Sequence, residues 1–242
     1  MVCMTHGDAA LEENYINLLK TRLVDGAVFL TIEQDGAALS AALEGFPAVQ
    51  ACEPKRDFNV PSVSIDNERA AYEAACYLFA KGHRRIAFFG AGGIYDSSRM
   101  REAGFRRAFA AYAVPPEESL IFNEGFSVNA GSRAAGRLLA LESPLPDAVF
   151  CISDSAAAGA IRTFVQRGIR VPEDISVMGF DNTQISEVFL PPITTTKQPQ
   201  FDIGYQAMEL LFHRIDKKTV SPDPVILSHE ILERGSVSET LP

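Results

Sequence analysis

The sequence predicts an α/β protein whose strands form parallel sheets. Apolar runs of about four to eight residues alternate with segments of helical periodicity about 10–17 residues long, as in repeated β-α-β units. Polar residues directly follow several of the apolar runs, and open α/β sheets bind ligands at that position. With 242 residues, of which 47% are hydrophobic, the chain can bury the core of one large domain or two small lobes.

The elements are predicted in order along the chain. Residues 1–26 predict a strand remnant followed by a helix, and 219–237 predict a late strand followed by a surface tail. The apolar runs predict buried strands at 26–32, 47–52, 60–66, 85–92, 119–126, 148–153 and 175–180. Helical periodicity predicts helices at 67–83, 97–113, 129–142, 154–168 and 205–218.

Composition excludes several classes of protein. The formal net charge is −9, whereas a free-standing nucleic-acid binder is usually basic. The four cysteines lie far apart with no CxxC pair, which argues against a zinc or redox site and for reduced thiols in the cytoplasm. No apolar run approaches the roughly 20 residues of a membrane helix, and no signal peptide is recognisable at the N-terminus. We therefore expect a cytoplasmic protein with no membrane partner.

Polar residues at strand ends are the candidate binding residues. Five predicted strands end near such a residue or near the aromatic Phe126, and all five ends could face a single cleft. The residues are Asp66, Ser97, Ser98, Arg101, Phe126, Ser153, Asp154, Asp181 and Asn182. Helix capping is the alternative interpretation for Asp154 and Asn67, because Asp and Asn satisfy free backbone amides there. Capping explains Asp181 less well, since the following NTQISEVFLPP is poorly periodic and soon meets two prolines. A lone Arg101 is also compatible with a solvated helix face.

Several phrases of the sequence resemble one protein family. They are VSIDN, LFAKGHRRIAFFG, SSRMREAGFRRAF, PDAVFCISDSAAAGAIRTFVQRGIRVPEDISVMGFDN and LPPITTTKQPQFDIGYQAMELL. In this order they resemble the effector-binding region of LacI/GalR transcription regulators over nearly the whole chain.

The resemblance implies a type I periplasmic-binding-protein-like fold, with two Rossmann-like α/β lobes joined by three crossovers. The crossovers are expected near residues 83, 197 and 224. The N-terminal lobe would then comprise 1–83 and 197–223, and the C-terminal lobe 84–196 and 224–242. An effector between the lobes would stabilise one relative orientation of them.

The resemblance also implies roles for eight residues. Asp66 matches an acid that binds effector from the N-terminal lobe, and Asp181 one that accepts bonds from ligand hydroxyls or amines. The other matches are polar contacts at Ser97 and Arg101, an aromatic contact at Phe126, a strand-end pair at Ser153 and Asp154, and a hinge-side contact at Gln198. The residue types suit a sugar, because guanidinium groups donate, carboxylates accept and an aromatic ring covers the C–H face. Core packing is the alternative for Phe126, and a surface position is the alternative for Gln198.

The sequence departs from the family pattern at its start. No helix-turn-helix or hinge segment is recognisable, and Val2–Met4 aligns with the family's second strand, so we expect the family's first strand and first helix to be absent from this sequence. We expect operator DNA to be contacted through an N-terminal domain not present in this chain, and a homodimer as the assembly. A truncated piece, a misassigned start and a naturally shortened protein all explain the departure.

The expected function is the sensor of a transcription regulator, with a small sugar or sugar derivative as effector and no cofactor or metal. An exported sugar-binding protein of a transporter is the alternative, and it would need an export signal. An enzyme is not expected. The stretch GAGGIY at 90–95 lacks the third glycine of GxGxxG, since position 95 is Tyr, and the histidines are scattered.

Overall fold

The computed structural model describes residues 1–93, 95–218, 220–221 and 223–239. The chain divides into two compact units, each made of more than one stretch. Unit 1 comprises Met1–Ile65 and Pro199–Ser228, and unit 2 comprises Asp66–Gln198 and the tail from His229. The chain therefore crosses from one unit to the other three times.

Unit 1 contains a four-stranded parallel sheet in the order β1-β2-β3-β9. Its strands are β1 (Ala27–Phe29), β2 (Ala48–Ala51), β3 (Ser62–Ile65) and β9 (Val225–Leu227). Its helices are α1 (Ala9–Lys20), α2 (Gly36–Ala42) and α8 (Gln200–Ile215). The core joins apolar residues of the first two helices to the sheet: Ile16, Leu19, Leu39, Leu43, Ala48 and Phe58. Every residue of β2 is buried, as in parallel strands that are covered on both faces.

Unit 2 contains a six-stranded sheet in the order β10-β8-β7-β6-β4-β5. Only β10 runs antiparallel, against β8. The strands are β4 (Ile86–Gly90), β5 (Ile121–Asn123), β6 (Ala148–Cys151), β7 (Ser176–Asp181), β8 (Thr194–Lys197) and β10 (Glu230–Leu232). The helices are α3 (Asn67–Ala80), α4 (Asp96–Ala111), α5 (Val128–Leu139), α6 (Asp154–Gln166) and α7 (Gln184–Val188), with a 3₁₀ turn at Glu118–Leu120. The predicted α/β fold with parallel-dominated sheets is confirmed.

Helix starts follow the capping chemistry of the sequence. Asp66 accepts a hydrogen bond from the backbone amide of Arg69 and caps α3. Ser153 accepts one from the amide of Ala156 and caps α6. The suggested caps at Asn67 and Asp154 are thus each displaced by one residue, because the side chain just before the helix satisfies the free amides.

The position of α3 differs from the sequence expectation. The first crossover lies after Ile65, not near residue 83, and the helix belongs to unit 2. The reason is its packing on α4, where a Cβ added to Gly104 would lie 2.1 Å from the carbonyl oxygen of Glu68. The second and third crossovers follow Gln198 and Ser228, near the expected positions.

Two further differences concern short segments. Val2–Met4 forms no strand and is exposed, so the expected strand remnant is wrong. The late stretch contains two short strands, β9 and β10, which lie in different units. Within the described residues, no helix has both the length and the apolar character needed to cross a membrane.

Candidate functional site

An ion pair marks the carboxyl ends of the strands in unit 2. Arg101 Nη1 lies 3.3 Å from Asp181 Oδ1, although the two side chains come from α4 and from the end of β7. The Arg101 side chain is 3% exposed and that of Asp181 is 21% exposed. The guanidinium is therefore fixed inside the protein, while part of the carboxylate stays accessible.

Arg101 is held from three directions. Its Nε donates to Asn67 Oδ1 at 2.9 Å, and its Nη1 donates to the carbonyl oxygen of Ile152 at 2.7 Å. The guanidinium also lies over the ring of Phe180, 3.8 Å from the centroid, a cation–π contact. Such a group has little rotational freedom left to lose when a ligand binds. The solvated-face alternative for Arg101 is wrong.

Asp181 lies in an unusual backbone conformation. Its φ is +101° and that of Asn182 is +55°, a region that residues with side chains rarely adopt. Gln198, which follows β8, donates through Nε2 to Asp181 Oδ1 at 2.6 Å. Residues held in sparsely populated backbone regions often mark binding sites, and here the turn orients the Asp181 carboxylate.

Ser153 and Asp154 are turned inward. Ser153 donates to the carbonyl oxygen of Phe126 at 2.7 Å while capping α6. Asp154 is 0% exposed and accepts hydrogen bonds from Thr183 and Thr195. Neither side chain presents a free polar atom to a ligand in this arrangement.

Phe126 and Ser97 lie on neighbouring elements of the same unit. The Phe126 ring is half-buried and lies 6.0 Å from the ring of Tyr95, measured between centroids. Ser97, in the first turn of α4, is buried and precedes Arg101 by four positions, so both lie on one face of that helix. The half-exposed ring could cover an apolar ligand face.

Asp66 lies beside this cluster. It is exposed and caps α3, and the next residue, Asn67, contacts Arg101. All eight expected site residues thus belong to unit 2, including Asp66, which we expected from the other lobe. The structure joins Arg101, Asp181 and Gln198 directly. Arg101 also donates to the carbonyl oxygen of Ile152, the residue before Ser153, and Ser153 donates to the carbonyl oxygen of Phe126.

Comparison with known proteins identifies the family. A model described as "periplasmic binding protein-like domain" matches residues 75–237. The HTH-type transcriptional regulator DegA of Bacillus subtilis is 34% identical over 98% of this chain and 71% of its own length. The repressor CytR of Escherichia coli K12 is 34% identical over 93% of this chain and 66% of its own length. The chain belongs to the LacI/GalR family of transcription regulators.

Solved structures of LacI/GalR regulators share the fold. A transcriptional regulator CelR–cellobiose complex superposes with a TM-score of 0.87 at 30% identity, covering 95% of this chain and 71% of that one. A LacI family regulator from Lactobacillus casei with bound sucrose gives a TM-score of 0.84 at 26% identity, covering 98% and 88% of the two chains. This chain corresponds to the effector-binding region of these proteins, and its named relatives are transcription regulators.

In this LacI/GalR chain, Gly92 of the GAGGIY stretch makes hydrogen bonds with other residues of the protein. The Gly92 amide donates to Asn123 Oδ1 at 2.9 Å, and the Gly92 carbonyl oxygen accepts from Ser98 at 2.6 Å. Ser98, which is 1% exposed, also donates to the carbonyl oxygen of Tyr95. Ser98, one of the polar residues that follow this loop in the sequence, thus bonds the loop itself.

Residues outside the predicted set of eight also surround Arg101 and Asn182 in this LacI/GalR chain. Asn67 and Phe180 contact Arg101, and each is adjacent in sequence to an expected site residue. Arg234 donates through Nη2 to Asn182 Oδ1 at 2.7 Å and through Nη1 to the carbonyl oxygen of Ile193 at 2.9 Å. No sequence signal pointed to Arg234, because its partners are 41–52 positions away.

Proposed function

We propose that this chain senses a small sugar, bound at the carboxyl edge of the unit 2 sheet, on behalf of a transcription regulator. The observation that carries the proposal is the Arg101–Asp181 pair, in which a buried guanidinium fixes a partly accessible carboxylate. A carboxylate oriented in this way accepts hydrogen bonds from ring hydroxyls.

The neighbouring groups complete the chemistry of a sugar site. Gln198 provides an amide next to Asp181, and Phe126 provides a half-buried ring for a C–H face. Nε and Nη1 of Arg101 are occupied by the contacts described above, so that Arg101 fixes the acceptor, Asp181. We assign ligand contacts also to Asp66 and Ser97. Ser153 and Asp154 support the site through their internal bonds.

Relatives favour a sugar over other polar metabolites. CelR was solved with cellobiose and the Lactobacillus casei regulator with sucrose, and both share this fold. The matches to named transcription regulators also favour a regulator over the exported binding protein.

The proposed output is a change in operator affinity. Effector binding would favour one arrangement of the two lobes, and by linkage operator and effector must then change each other's affinity by the same factor. DNA contact would be made by an N-terminal helix-turn-helix domain of the whole regulator. A homodimer in the cytoplasm is the expected assembly. These properties of the whole protein stay predictions.

The test is isothermal titration calorimetry with cellobiose, sucrose, a panel of monosaccharides and a panel of nucleosides. We expect at least one sugar to bind and the Asp181→Asn variant to bind it about tenfold or more weakly, since a hydrogen bond to a charged group contributes about 1.5–3 kcal/mol.

Asp174→Asn is the matched control, because Asp174 lies in the same unit and pairs with Arg170 outside the site. This variant should bind the sugar as the unchanged protein does. Binding of nucleosides alone, binding of nothing, or equal affinity of the Asp181→Asn variant would contradict the proposal.

A further inference from the structure

A fully buried carboxylate lies behind the turn that carries Asp181. Asp154 Oδ2 accepts from the Thr183 amide at 2.6 Å and from the Thr183 hydroxyl at 3.0 Å. Asp154 Oδ1 accepts from the Thr195 hydroxyl at 2.5 Å. Both oxygens are therefore occupied by the segment that follows β7 and by β8.

We propose that Asp154 is a positioning residue: it holds the Asp181–Thr183 turn in the conformation that presents Asp181 to the ligand, without touching the ligand itself. This inference deepens the proposed function and rests on it for the role of Asp181. It gives Asp154 a different role from the ligand contact that the family resemblance implied.

The turn needs such support because its backbone is strained. Two successive residues other than glycine, Asp181 and Asn182, have φ of +101° and +55°. Strain of this kind costs of order 1–3 kcal/mol per residue and persists only where the surroundings enforce it. Asp154 binds the amide immediately after the two strained residues.

A second contact reaches the same turn through Thr195. Its hydroxyl donates to Asp154 and lies 3.4 Å from the amide of Asn182, from which it accepts. On the other side of the turn, Arg234 donates to the Asn182 side chain at 2.7 Å. The carboxylate and the guanidinium thus fix the turn from two directions.

A helix-capping role does not account for Asp154. It is the first residue of α6, where an acid is favourable, but Ser153 already caps that helix and accepts from the Ala156 amide. The bonds of Asp154 instead reach residues 29 and 41 positions away.

The strand β7 packs closely against the carboxylate. A Cβ added to Gly179 would lie 2.5 Å from Asp154 Oδ1. Burial is also the main reason that the pKa of Asp154 is raised to about 6. The nearby Asp181 charge raises it further, while the bonds from Thr195 and Thr183 oppose the shift. The buried Cys151 thiol on β6 also faces Asp154, and burial together with the Asp154 charge raises the pKa of this thiol.

The first experiment needs no ligand and uses the unchanged chain. In ¹H–¹⁵N NMR spectra recorded against pH, the Thr183 amide should shift with a midpoint near 6, as Asp154 gains its proton. The Arg170 amide, which donates to Asp174, is an internal comparator and should show no such midpoint, because the pKa of Asp174 is lowered to about 2 by Arg170.

Three variants assign the effect. Asp154→Asn should abolish the Thr183 titration and move the resonances of residues 181–183, whereas Asp181→Asn should keep the titration. Thr195→Val, which removes one donor and leaves the carboxylate in place, should move the Asn182 amide resonance. Unchanged turn resonances in a folded Asp154→Asn variant, or a Thr183 amide that does not titrate, would overturn the inference.

The second experiment measures binding with cellobiose and sucrose as probes. For whichever probe binds to the unchanged chain, Asp154→Asn should weaken the binding about tenfold. In the unchanged chain, the affinity for that probe should fall as the pH drops below about 6. Equal affinity of the variant despite a displaced turn would overturn the positioning role. If neither probe nor any panel compound binds the unchanged chain while the NMR results hold, the proposed function fails and the positioning of the turn stands.

Discussion

At the residue scale, the ionised form of Asp154 accepts the hydrogen bonds of the turn but lowers the stability of the folded chain. Burial raises the pKa of this carboxyl from 3.8 to about 6, and the hydrogen bonds from Thr195 and Thr183 offset the burial only in part. The charged form therefore makes folding less favourable above pH 6, although it is the form that accepts three hydrogen bonds. The positioning role that we propose for Asp154 explains why a buried carboxylate with this cost in stability is present.

The sign of this effect gives a prediction for stability against pH. Because the native pKa lies above the unfolded value, the stabilisation is fully present below about pH 4 and is lost as the pH rises through about 6. This difference between the native and unfolded pKa values corresponds to a loss of roughly 3 kcal/mol at most in the free energy of unfolding. Melting temperatures by calorimetry between pH 4 and 7.5 should fall with rising pH in the unchanged chain more steeply than in Asp154→Asn.

The control for this prediction is Asp174→Asn. The pKa of Asp174 is lowered to about 2 by Arg170, so the stability it contributes is lost only as the pH falls through about 2. Its replacement should leave the slope between pH 4 and 7.5 unchanged. Equal slopes for the unchanged chain and the Asp154→Asn variant would show that Asp154 is not the group that titrates.

At the scale of elements, pairs of helices approach one another closely at glycines. On α4, a Cβ at Gly104 would lie 2.1 Å from the Glu68 carbonyl oxygen of α3. On α6, a Cβ at Gly159 would lie 1.9 Å from the carbonyl oxygen of Val128 on α5. These contacts let the α3–α4 and α5–α6 pairs pack backbone to backbone, and the first of them places Arg101 next to Asn67.

Substitution of these glycines tests the packing. Gly104→Ala and Gly159→Ala should each destabilise the chain by at least about 1–3 kcal/mol in urea unfolding, because the helices must separate. Gly136→Ala is the matched control on α5, since a Cβ there meets nothing within 4 Å and alanine favours the helix by roughly 0.5–1 kcal/mol. Equal effects at the three positions would contradict the close approach.

The elements also show which parts of the fold were predictable. The strands β1 to β7 were found because each lies within a short, mostly apolar run, and β6 and β7 are almost wholly buried. The strand β8 was missed, since its TTTK sequence is polar although its three threonines are buried. Its burial depends on its neighbours β7 and β10, which local periodicity does not report.

At the scale of the whole molecule, two α/β units are connected by three crossovers, after Ile65, Gln198 and Ser228. The candidate site lies within unit 2, so its core geometry does not depend on the other unit. The expectation that the other lobe closes over the same ligand stays a prediction. The chain spans 71% of the length of DegA and 66% of that of CytR, so each of these regulators contains residues with no counterpart in this chain.

The net charge of −9 predicts how this chain by itself behaves toward DNA. Phosphate contacts need an excess of Lys and Arg, and an acidic chain is repelled by the duplex. Fluorescence anisotropy with a labelled 30-base-pair duplex, at about 0.15 M salt, should show no binding tighter than the roughly 10⁻⁴ M limit of non-specific complexes. Salt-dependent binding at micromolar concentration would show that this region contacts DNA directly.

The sequence by itself determined the order of most elements, the parallel character of the sheets and the position of Asp181 at the end of a strand. These follow from local patterns: apolar runs, helical periodicity, and an acid that ends a strand with little helix to cap. Only the tertiary structure decided that α3 belongs to unit 2, that Asp154 faces inward, and that Arg234 and Gln198 reach the turn at residues 181–182. These features depend on which distant segments pack together, because hydrogen bonds between residues 17–52 positions apart leave no periodic trace in the chain.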